Sequence, residues 1–187
     1  MSWKNTADRW GPVSQTLHWL VVVLVLALAV VGLSLDSLPK TPKYFWVFTL
    51  HKSLGITVLV LALARIGWRL YAGAPLPVPG TPRWQARAAA ATHWLLYALL
   101  LAMPLSGWLY DSASGLRPFR WFGLFTMPKL AAPDEALADR AHELHEWLFW
   151  VLVAAVALHA AAAFHHHLFR NDATLLRMLP RWRRSPP

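Results

Sequence analysis

The chain has 187 residues, of which 57% are hydrophobic and only 14% are charged, and its formal net charge is +9. This composition is too apolar for a water-soluble domain of that length, so we expect a membrane protein. The sequence contains no cysteine, which excludes disulfides, thiolate metal sites, iron–sulfur clusters and covalent c-type haem attachment. Any metal or cofactor must be held by histidine, methionine or carboxylate side chains.

Four apolar segments are long enough to cross a bilayer, which takes about 20 residues. The first is longer than the apolar part of a signal peptide, so we expect a permanent helix. The second also contains His51, Lys52 and Arg65, as functional or snorkelling groups. We find no sign of strands or of a second domain, and predict that residues 1–187 form one all-α membrane domain, an up-down four-helix bundle. Its spans are expected at about residues 12–35, 44–70, 88–110 and 140–168.

The charges are distributed unevenly between the two sides of such a bundle. With four spans, both termini and the middle loop share one side, which has eleven basic and two acidic residues, whereas the other side has seven of each. The positive-inside rule assigns the basic side to the cytoplasm, so both termini are predicted to be cytoplasmic. The basic C-terminus is then a solvated tail, and we do not expect a nucleic-acid partner.

Histidines occur at two depths of the predicted bundle. His18 lies toward the inner side of the first span and His51 toward the outer side of the second, while the fourth span has His145 near its outer start and His159 deeper. The last two are 14 residues apart, about 21 Å of rise, and share nearly one helix face. A polar ring in hydrocarbon needs a partner. Paired imidazoles without a carboxylate or thiolate beside them favour bis-histidine haem b over zinc or copper. We predict an inner haem on His18 and His159 and an outer haem on His51 and His145.

Other polar residues of the spans have two interpretations each. Arg65 lies on the ligand face at inner depth, where it pairs with a propionate of the inner haem or snorkels to the surface. His93 and His166, near the inner ends of the third and fourth spans, form a quinone or proton-relay site or are only solvated at the interface. His142 is about 100° away from the face of His159, so His145 is the preferred outer ligand.

Two glycines recur at the spacing of the ligands. Gly32 follows His18 by 14 residues and Gly107 follows His93 by 14 residues, so each glycine shares its histidine's face at the other depth. A porphyrin would need a close approach of the backbone there. Close helix packing explains glycines in membrane helices equally well, so both interpretations stay open.

Short motifs around these histidines extend over about residues 9–180. They are RWG (9–11), LHWL (17–20), LHKSLG (50–55), RIGWRL (65–70), THWLLY (92–97), PLSG (104–107), LHE (144–146), LHAAAAFHHH (158–167) and NDATLLRMLP (171–180). Together they resemble the bacterial cytochrome b561 family. The resemblance implies four spans and two non-covalent b haems, with ligands falling on His18, His51, His145 and His159.

The resemblance also implies membrane electron transfer that involves ubiquinone in a bacterial inner membrane. A similar family member is a superoxide oxidase, which passes the electron of superoxide from the outer face through both haems to ubiquinone. Others pass electrons between quinol and a periplasmic redox protein or serve as the cytochrome subunit of a larger dehydrogenase. We therefore expect a membrane oxidoreductase, first a superoxide:ubiquinone oxidoreductase and as the alternative a quinol-linked electron-relay cytochrome.

Capture of an anion such as superoxide is favoured by a positive outer patch, although the outer segments as a whole have no net charge. Such a patch requires the acidic residues Asp134, Glu135 and Asp139 to point elsewhere. The basic residues available for it are Lys40, Lys43, Lys52, Arg117, Arg120 and Lys129.

Overall fold

The computed structural model describes residues 3–35, 37–39 and 41–180, so Lys40 of the expected outer patch lies outside the described residues. Four helices are long and apolar enough to cross a membrane, which confirms the mainly helical fold predicted from the sequence. The third and fourth each begin five residues before the expected spans. The helices are α1 (Pro12–Leu35), α2 (Phe45–Ala72, preceded by the 3₁₀ turn Pro42–Tyr44), α3 (Arg83–Ala113) and α4 (Glu135–Leu168).

The helices pack in the order of the chain, α1 against α2, α2 against α3 and α3 against α4. Within the described residues, the backbones of α1 and α4 make no close contact, so these two helices stand on opposite sides of a gap. One buried cluster joins α1, α2 and α3 through Val21, Val58 and Leu100, and another joins α3 and α4 through Leu99 and Leu152. The side chains in the gap therefore decide what connects α1 to α4.

One end of the bundle holds both described ends of the chain and the α2–α3 loop, and we call it the terminal end. The Asn5 amide donates to the carbonyl of Gly73 at 2.7 Å, and the N–H of Leu76 donates to the carbonyl of Ala7 at 2.8 Å. The Arg177 guanidinium donates to the carbonyl of Leu76 at 2.7 Å. These bonds hold the three segments together. The other end, with the α1–α2 and α3–α4 connections, is the loop end.

After α4 the chain turns at Asn171, which has a φ of 50°, and runs back across the terminal end. We call residues 171–180 the strap. Three consecutive strap carbonyls accept side-chain hydrogen bonds from the N-terminal part of the chain. Gln15 donates to Arg177 at 3.2 Å, Trp19 donates to Met178 at 3.0 Å, and Arg9 donates to Leu179. The strap thus closes the terminal end of the gap between α1 and α4.

At the loop end, residues 114–134 form a lid over α2 and α3. The prediction that the chain has no strand was wrong, because Arg120–Trp121 and Phe125–Thr126 pair as antiparallel strands in the lid. Gly123, with a φ of 75°, lies in the turn between them. Strands of two residues are too short to leave an alternating pattern in the sequence.

Two fully buried serines fasten the lid to the helices. Ser53 of α2 accepts a hydrogen bond from the N–H of Phe122 at 3.1 Å. Ser112 of α3 accepts one from the N–H of Leu130 at 3.0 Å. Both serines are 1% exposed, and loss of either hydroxyl would leave a lid N–H without this partner. The lid is therefore a fixed part of the loop end.

Candidate cofactor sites

Four histidines form two pairs, one toward each end of the bundle. At the terminal end, the ring centroids of His18 on α1 and His159 on α4 lie 6.4 Å apart. At the loop end, those of His51 on α2 and His145 on α4 lie 6.3 Å apart. These are the two combinations expected from the sequence, and α4 contributes one ring to each.

The separation within each pair suits a shared metal ion. An imidazole nitrogen binds a transition metal at about 2.0–2.1 Å, and the ring centre lies roughly 1.2 Å from that nitrogen, so two rings facing each other across one ion have centres about 6.4 Å apart. A direct hydrogen bond of about 2.9 Å would bring the centres to about 5.3 Å. The observed 6.3 and 6.4 Å fit an ion between the rings.

The donor set fits haem iron rather than an ion that takes all its ligands from the protein. In the part of the chain that the structure describes, no group of three or more histidine, aspartate or glutamate side chains is placed to hold a metal. A structural zinc ion needs four such ligands. Haem iron takes four ligands from the porphyrin and needs only two from the protein, which one histidine pair would supply.

Hydrogen bonds from α3 orient the ring of His145. Its Nδ1 lies 3.0 Å from the carbonyl oxygen of Met103 and 2.9 Å from Oγ of Ser106, whose hydroxyl donates to the same carbonyl at 2.8 Å. A carbonyl oxygen only accepts, so we assign the ring proton to Nδ1 and the free lone pair to Nε2. This is the tautomer that binds a metal through Nε2, and such outer hydrogen bonds hold ligating imidazoles in place.

Glycines make room for both rings of the loop-end pair. A Cβ atom at Gly107 would lie 3.0 Å from Cε1 of His145, and one at Gly32 would lie 3.2 Å from Cε1 of His51. The spacing in the sequence places both glycines at the depth of the loop-end pair. An imidazole ring lies against the backbone at each glycine, so a side chain at either position would crowd that ring.

The terminal-end pair lines a cavity of about 640 Å³, partly open to the surroundings. The cavity spans the gap between α1 and α4. Its polar groups are His18, His93, His159, Arg65 and Tyr97, and its apolar walls include Val21, Val25, Leu100, Leu152 and Val156. An apolar slot between two imidazoles, with a cation at its edge, suits a flat, largely apolar cofactor with acidic groups.

Arg65 and His93 both face this cavity. The Arg65 guanidinium lies 5.5 Å from the centre of the Tyr97 ring, at the depth expected from the sequence. The His93 ring centroid lies 5.3 Å from that of His159, so His93 belongs to the surroundings of the terminal-end pair. The sequence did not reveal this neighbour, because the rotation of α3 relative to α4 cannot be read from either helix alone.

His166 lies in a separate polar contact beside the strap. Its Nδ1 is 2.5 Å from Oδ2 of Asp172. Burial would raise the pKa of the Asp172 carboxyl, but hydrogen bonds from Thr174 and His166 outweigh it and lower that pKa to about 2. Within the described residues, no hydrogen bond or ring contact joins His166 to His93. A shared quinone site of these two histidines therefore stays a prediction.

His142 is exposed and lies apart from the loop-end pair. Its ring centroid is 4.8 Å from that of Tyr110, and its Nδ1 is 3.6 Å from a carboxylate oxygen of Glu146.

Beside His51, Lys52 forms an ion pair with Asp111 at 2.5 Å, which ties α2 to α3. Sequence reasoning missed the Lys52–Asp111 pair and the Ser106 contact. The only signal in the sequence was that Lys52 follows His51 in the LHKSLG motif and that Ser106 precedes Gly107 in the PLSG motif.

Comparison with known proteins identifies the family. The model of prokaryotic cytochrome b561 matches residues 9–181. "Cytochrome b561 homolog 2" of Escherichia coli K12 is 37% identical over 186 residues, which cover 96% of this chain and 95% of the relative. "Cytochrome b561 homolog 1" of the same strain is 33% identical (93% and 98% covered), and the "Probable superoxide oxidase CybB" of Yersinia pestis is 34% identical (89% and 93% covered). The resemblance seen in the motifs is confirmed, and the chain belongs to the prokaryotic cytochrome b561 family of b-haem electron-transfer proteins in bacterial membranes.

Proposed function

We propose that the chain transfers single electrons between a donor at the loop end and the quinone pool at the terminal end, with one b haem at each histidine pair. The observation that carries this proposal is the presence of two such pairs on one helix. His145 and His159 are 14 residues apart, about 21 Å along α4. A bound b haem supplies reversible one-electron chemistry at its iron. The chain would hold each haem through one histidine pair, it fixes the His145 proton on Nδ1, and it fastens the lid at Ser53, two residues from His51.

The terminal end is assigned to the cytoplasmic side of the bacterial inner membrane. Its described basic residues are Lys4, Arg9, Arg65, Arg69, Arg83, Arg87, Arg170 and Arg177, against only Asp8 and Asp172. This imbalance is the one that the positive-inside rule associates with the cytoplasm. Ubiquinone reduction takes up protons, and we assign their supply to His93, whose ring centroid lies 5.3 Å from that of His159.

Superoxide is the proposed donor because the lid is locally positive. Residues 114–133 contain Arg117, Arg120 and Lys129 and no acidic residue, and the lid is fastened at Ser53, two residues from His51. Asp111 forms an ion pair with Lys52. The other acidic side chains described at the loop end belong to Asp134 and to the first turns of α4. A positive surface raises the local concentration of an anion. In the reaction, two superoxide ions are oxidised to two O₂ while one ubiquinone takes two electrons and two protons to become ubiquinol.

The reaction is tested with the purified chain, a superoxide source and a short-chain ubiquinone. Superoxide should disappear faster than by spontaneous dismutation, and one quinol should form for every two superoxide ions consumed. If superoxide disappears only at the spontaneous rate, the oxidase assignment is wrong. It would leave the electron-relay cytochrome, which serves a periplasmic redox protein or a larger dehydrogenase, as the function of the same two sites.

The lid charges are expected to set the rate of superoxide capture. The double variant Arg117→Gln/Arg120→Gln should lower the second-order rate constant about 3- to 10-fold at low ionic strength, since steering of this kind acts on the encounter. The difference should shrink in 1 M salt, where the Debye length is about 3 Å. Arg83→Gln/Arg87→Gln removes the same charge at the terminal end and should leave the rate unchanged. Equal rates for both variants at low salt would contradict capture by the lid.

Ser106 is expected to tune the potential of the loop-end haem. Ser106→Ala removes one hydrogen bond from His145 and keeps the bond to the Met103 carbonyl, so the haem should stay bound. The imidazole becomes a weaker donor, and the midpoint potential of that haem should rise by roughly 20–40 mV, which corresponds to about 0.5–1 kcal/mol. Ser106→Thr keeps the hydroxyl and should restore the potential. A redox titration in which Ser106→Ala matches the parent would refute this role.

A further inference from the structure

A second, smaller space adjoins the cavity of the terminal-end pair. Its empty volume, part of which is open solvent, is about 210 Å³, and it is lined by Trp10, Ser14, Arg65, Arg69, Tyr97 and Met178. Arg65 and Tyr97 line the larger cavity as well, so the two spaces share a wall. Arg65 and Arg69 are one helical turn apart on α2 and both reach this space. We call it the arginine annex.

The two guanidinium groups of the annex have no carboxylate partner among the described residues. The ion pairs found there join Lys52 to Asp111, His142 to Glu146 and His166 to Asp172. Both arginines are half-buried. Burying a positive group without a counter-charge costs free energy, so we expect an anion to bind beside these arginines in the annex.

Aromatic rings take the place of acidic partners around the arginines. The Arg69 guanidinium lies 5.5 Å from the centre of the Trp10 ring, 5.8 Å from that of Trp94 and 5.9 Å from that of Tyr97. Ring faces attract a cation but do not neutralise its charge. They hold the guanidinium in position and leave its N–H groups available to an acceptor.

The strap closes the annex on the side of the chain ends. Met178 lines the annex, and its carbonyl is held by the Trp19 indole at 3.0 Å. The neighbouring carbonyl of Arg177 is held by Gln15 at 3.2 Å. Arg65 and Tyr97 connect the annex to the cavity between His18 and His159, because they line both spaces. The anion is therefore expected to belong to the molecule in that cavity.

We propose that the arginine annex binds the two carboxylates of the haem held by His18 and His159, with Arg65 and Arg69 as their partners. This inference rests on the proposed function. The sequence leaves Arg65 either as a propionate partner or as a snorkelling cation, and the annex adds Arg69 and the strap. Two carboxylates balance two guanidinium groups, and a guanidinium is shaped to bind a carboxylate through two parallel hydrogen bonds.

The test compares haem with its dimethyl ester, in which both carboxylates are uncharged. The full chain with His145→Ala, so that only the terminal-end pair loads, is produced in haem-deficient cells and titrated in detergent while the Soret band is followed. It should bind haem at least about 10-fold more tightly than the ester. Adding Arg69→Gln should reduce this preference to within about 3-fold while ester affinity is unchanged, which also shows that the variant folds. Arg69→Lys should give an intermediate preference, and the exposed Arg87→Gln should keep the full one.

The outcomes separate this proposal from the function on which it rests. If the His145→Ala chain binds neither haem nor the ester, the haem site and the proposed function both fail. If it binds both equally, or if Arg69→Gln keeps the full preference, the terminal-end haem site stands and the annex proposal is overturned. Anionic lipid phosphate that copurifies with the parent and is lost in Arg69→Gln, without any preference for haem over the ester, would assign the arginines to a headgroup and would also overturn it.

Discussion

Replacing His145 by alanine is expected to remove one of the two haems and to leave the other in place. His145 supplies one side of the loop-end pair, and its partner His51 lies on α2 with the ring centroids 6.3 Å apart. His51→Ala should therefore abolish the same haem signal, because a bis-histidine site that loses either ring is incomplete. The haem-to-protein ratio should fall by about half in each variant, and the two reduced-minus-oxidised spectra should lack the same component.

The matched control for this experiment is His142→Ala. His142 lies three residues before His145 on α4, is exposed and contacts Tyr110, so its loss should leave both haems bound. His18→Ala and His159→Ala should remove the other component, since their ring centroids lie 6.4 Å apart at the terminal end. Loss of both signals or of neither in His145→Ala, or loss of different signals in His51→Ala and His145→Ala, would break the proposed pairing.

Gly107→Val is expected to weaken the loop-end haem site without touching a ligand. A Cβ atom at this position would already lie 3.0 Å from Cε1 and 3.2 Å from Nδ1 of His145, and valine adds two methyl groups. Overpacking of this kind costs about 1–3 kcal/mol, which corresponds to roughly 5- to 150-fold in haem affinity. Titration of the haem-depleted chain should show weaker binding at the loop-end pair and parent-like binding at the terminal-end pair.

Gly67→Val is the matched control, because nothing lies within 4 Å of a Cβ atom at Gly67 and the residue is exposed on α2. The same change at Gly32 should act on the same site from α1, where a Cβ atom would lie 3.2 Å from Cε1 of His51. Equal haem affinities in Gly107→Val and Gly67→Val would mean that the glycine does not make room for the ligand ring.

The two sites share α4, and this arrangement explains the gap in the bundle. His145 and His159 extend from one helix toward α2 and toward α1, respectively. A bundle that closed α1 directly on α4 would leave no cavity between His18 and His159. The strap covers the terminal end of that gap through Gln15 and Trp19. The chain thus keeps an apolar space in its interior while its outer surface is exposed to lipid.

The helices and the histidine pairs could be predicted from the sequence because they depend on simple periodicities. Long apolar runs located the four helices, and a spacing of 14 residues, close to four helical turns, put His145 and His159 on one face. The relative heights of His18 and His51 then selected their partners. Predicting these pairs requires only the direction of each helix and no knowledge of side-chain packing.

Other features depend on contacts that no periodicity encodes. The strap is held through backbone carbonyls, which every residue has, so its sequence does not show that it will dock on Gln15 and Trp19. The lid strands have two residues each and leave no alternating pattern. His93 contacts His159 because of how α3 is rotated against α4. Trp10 and Met178, which line the annex together with Arg69, come from opposite ends of the chain.

The haem content of the purified full chain shows whether both histidine pairs hold a haem. The pyridine haemochrome assay and a redox titration of the α band measure how many b haems each chain holds and how many one-electron transitions they make. Two histidine pairs predict two b haems per chain and two transitions. One haem per chain, or an absorption spectrum without a Soret band that changes on reduction, would contradict the account.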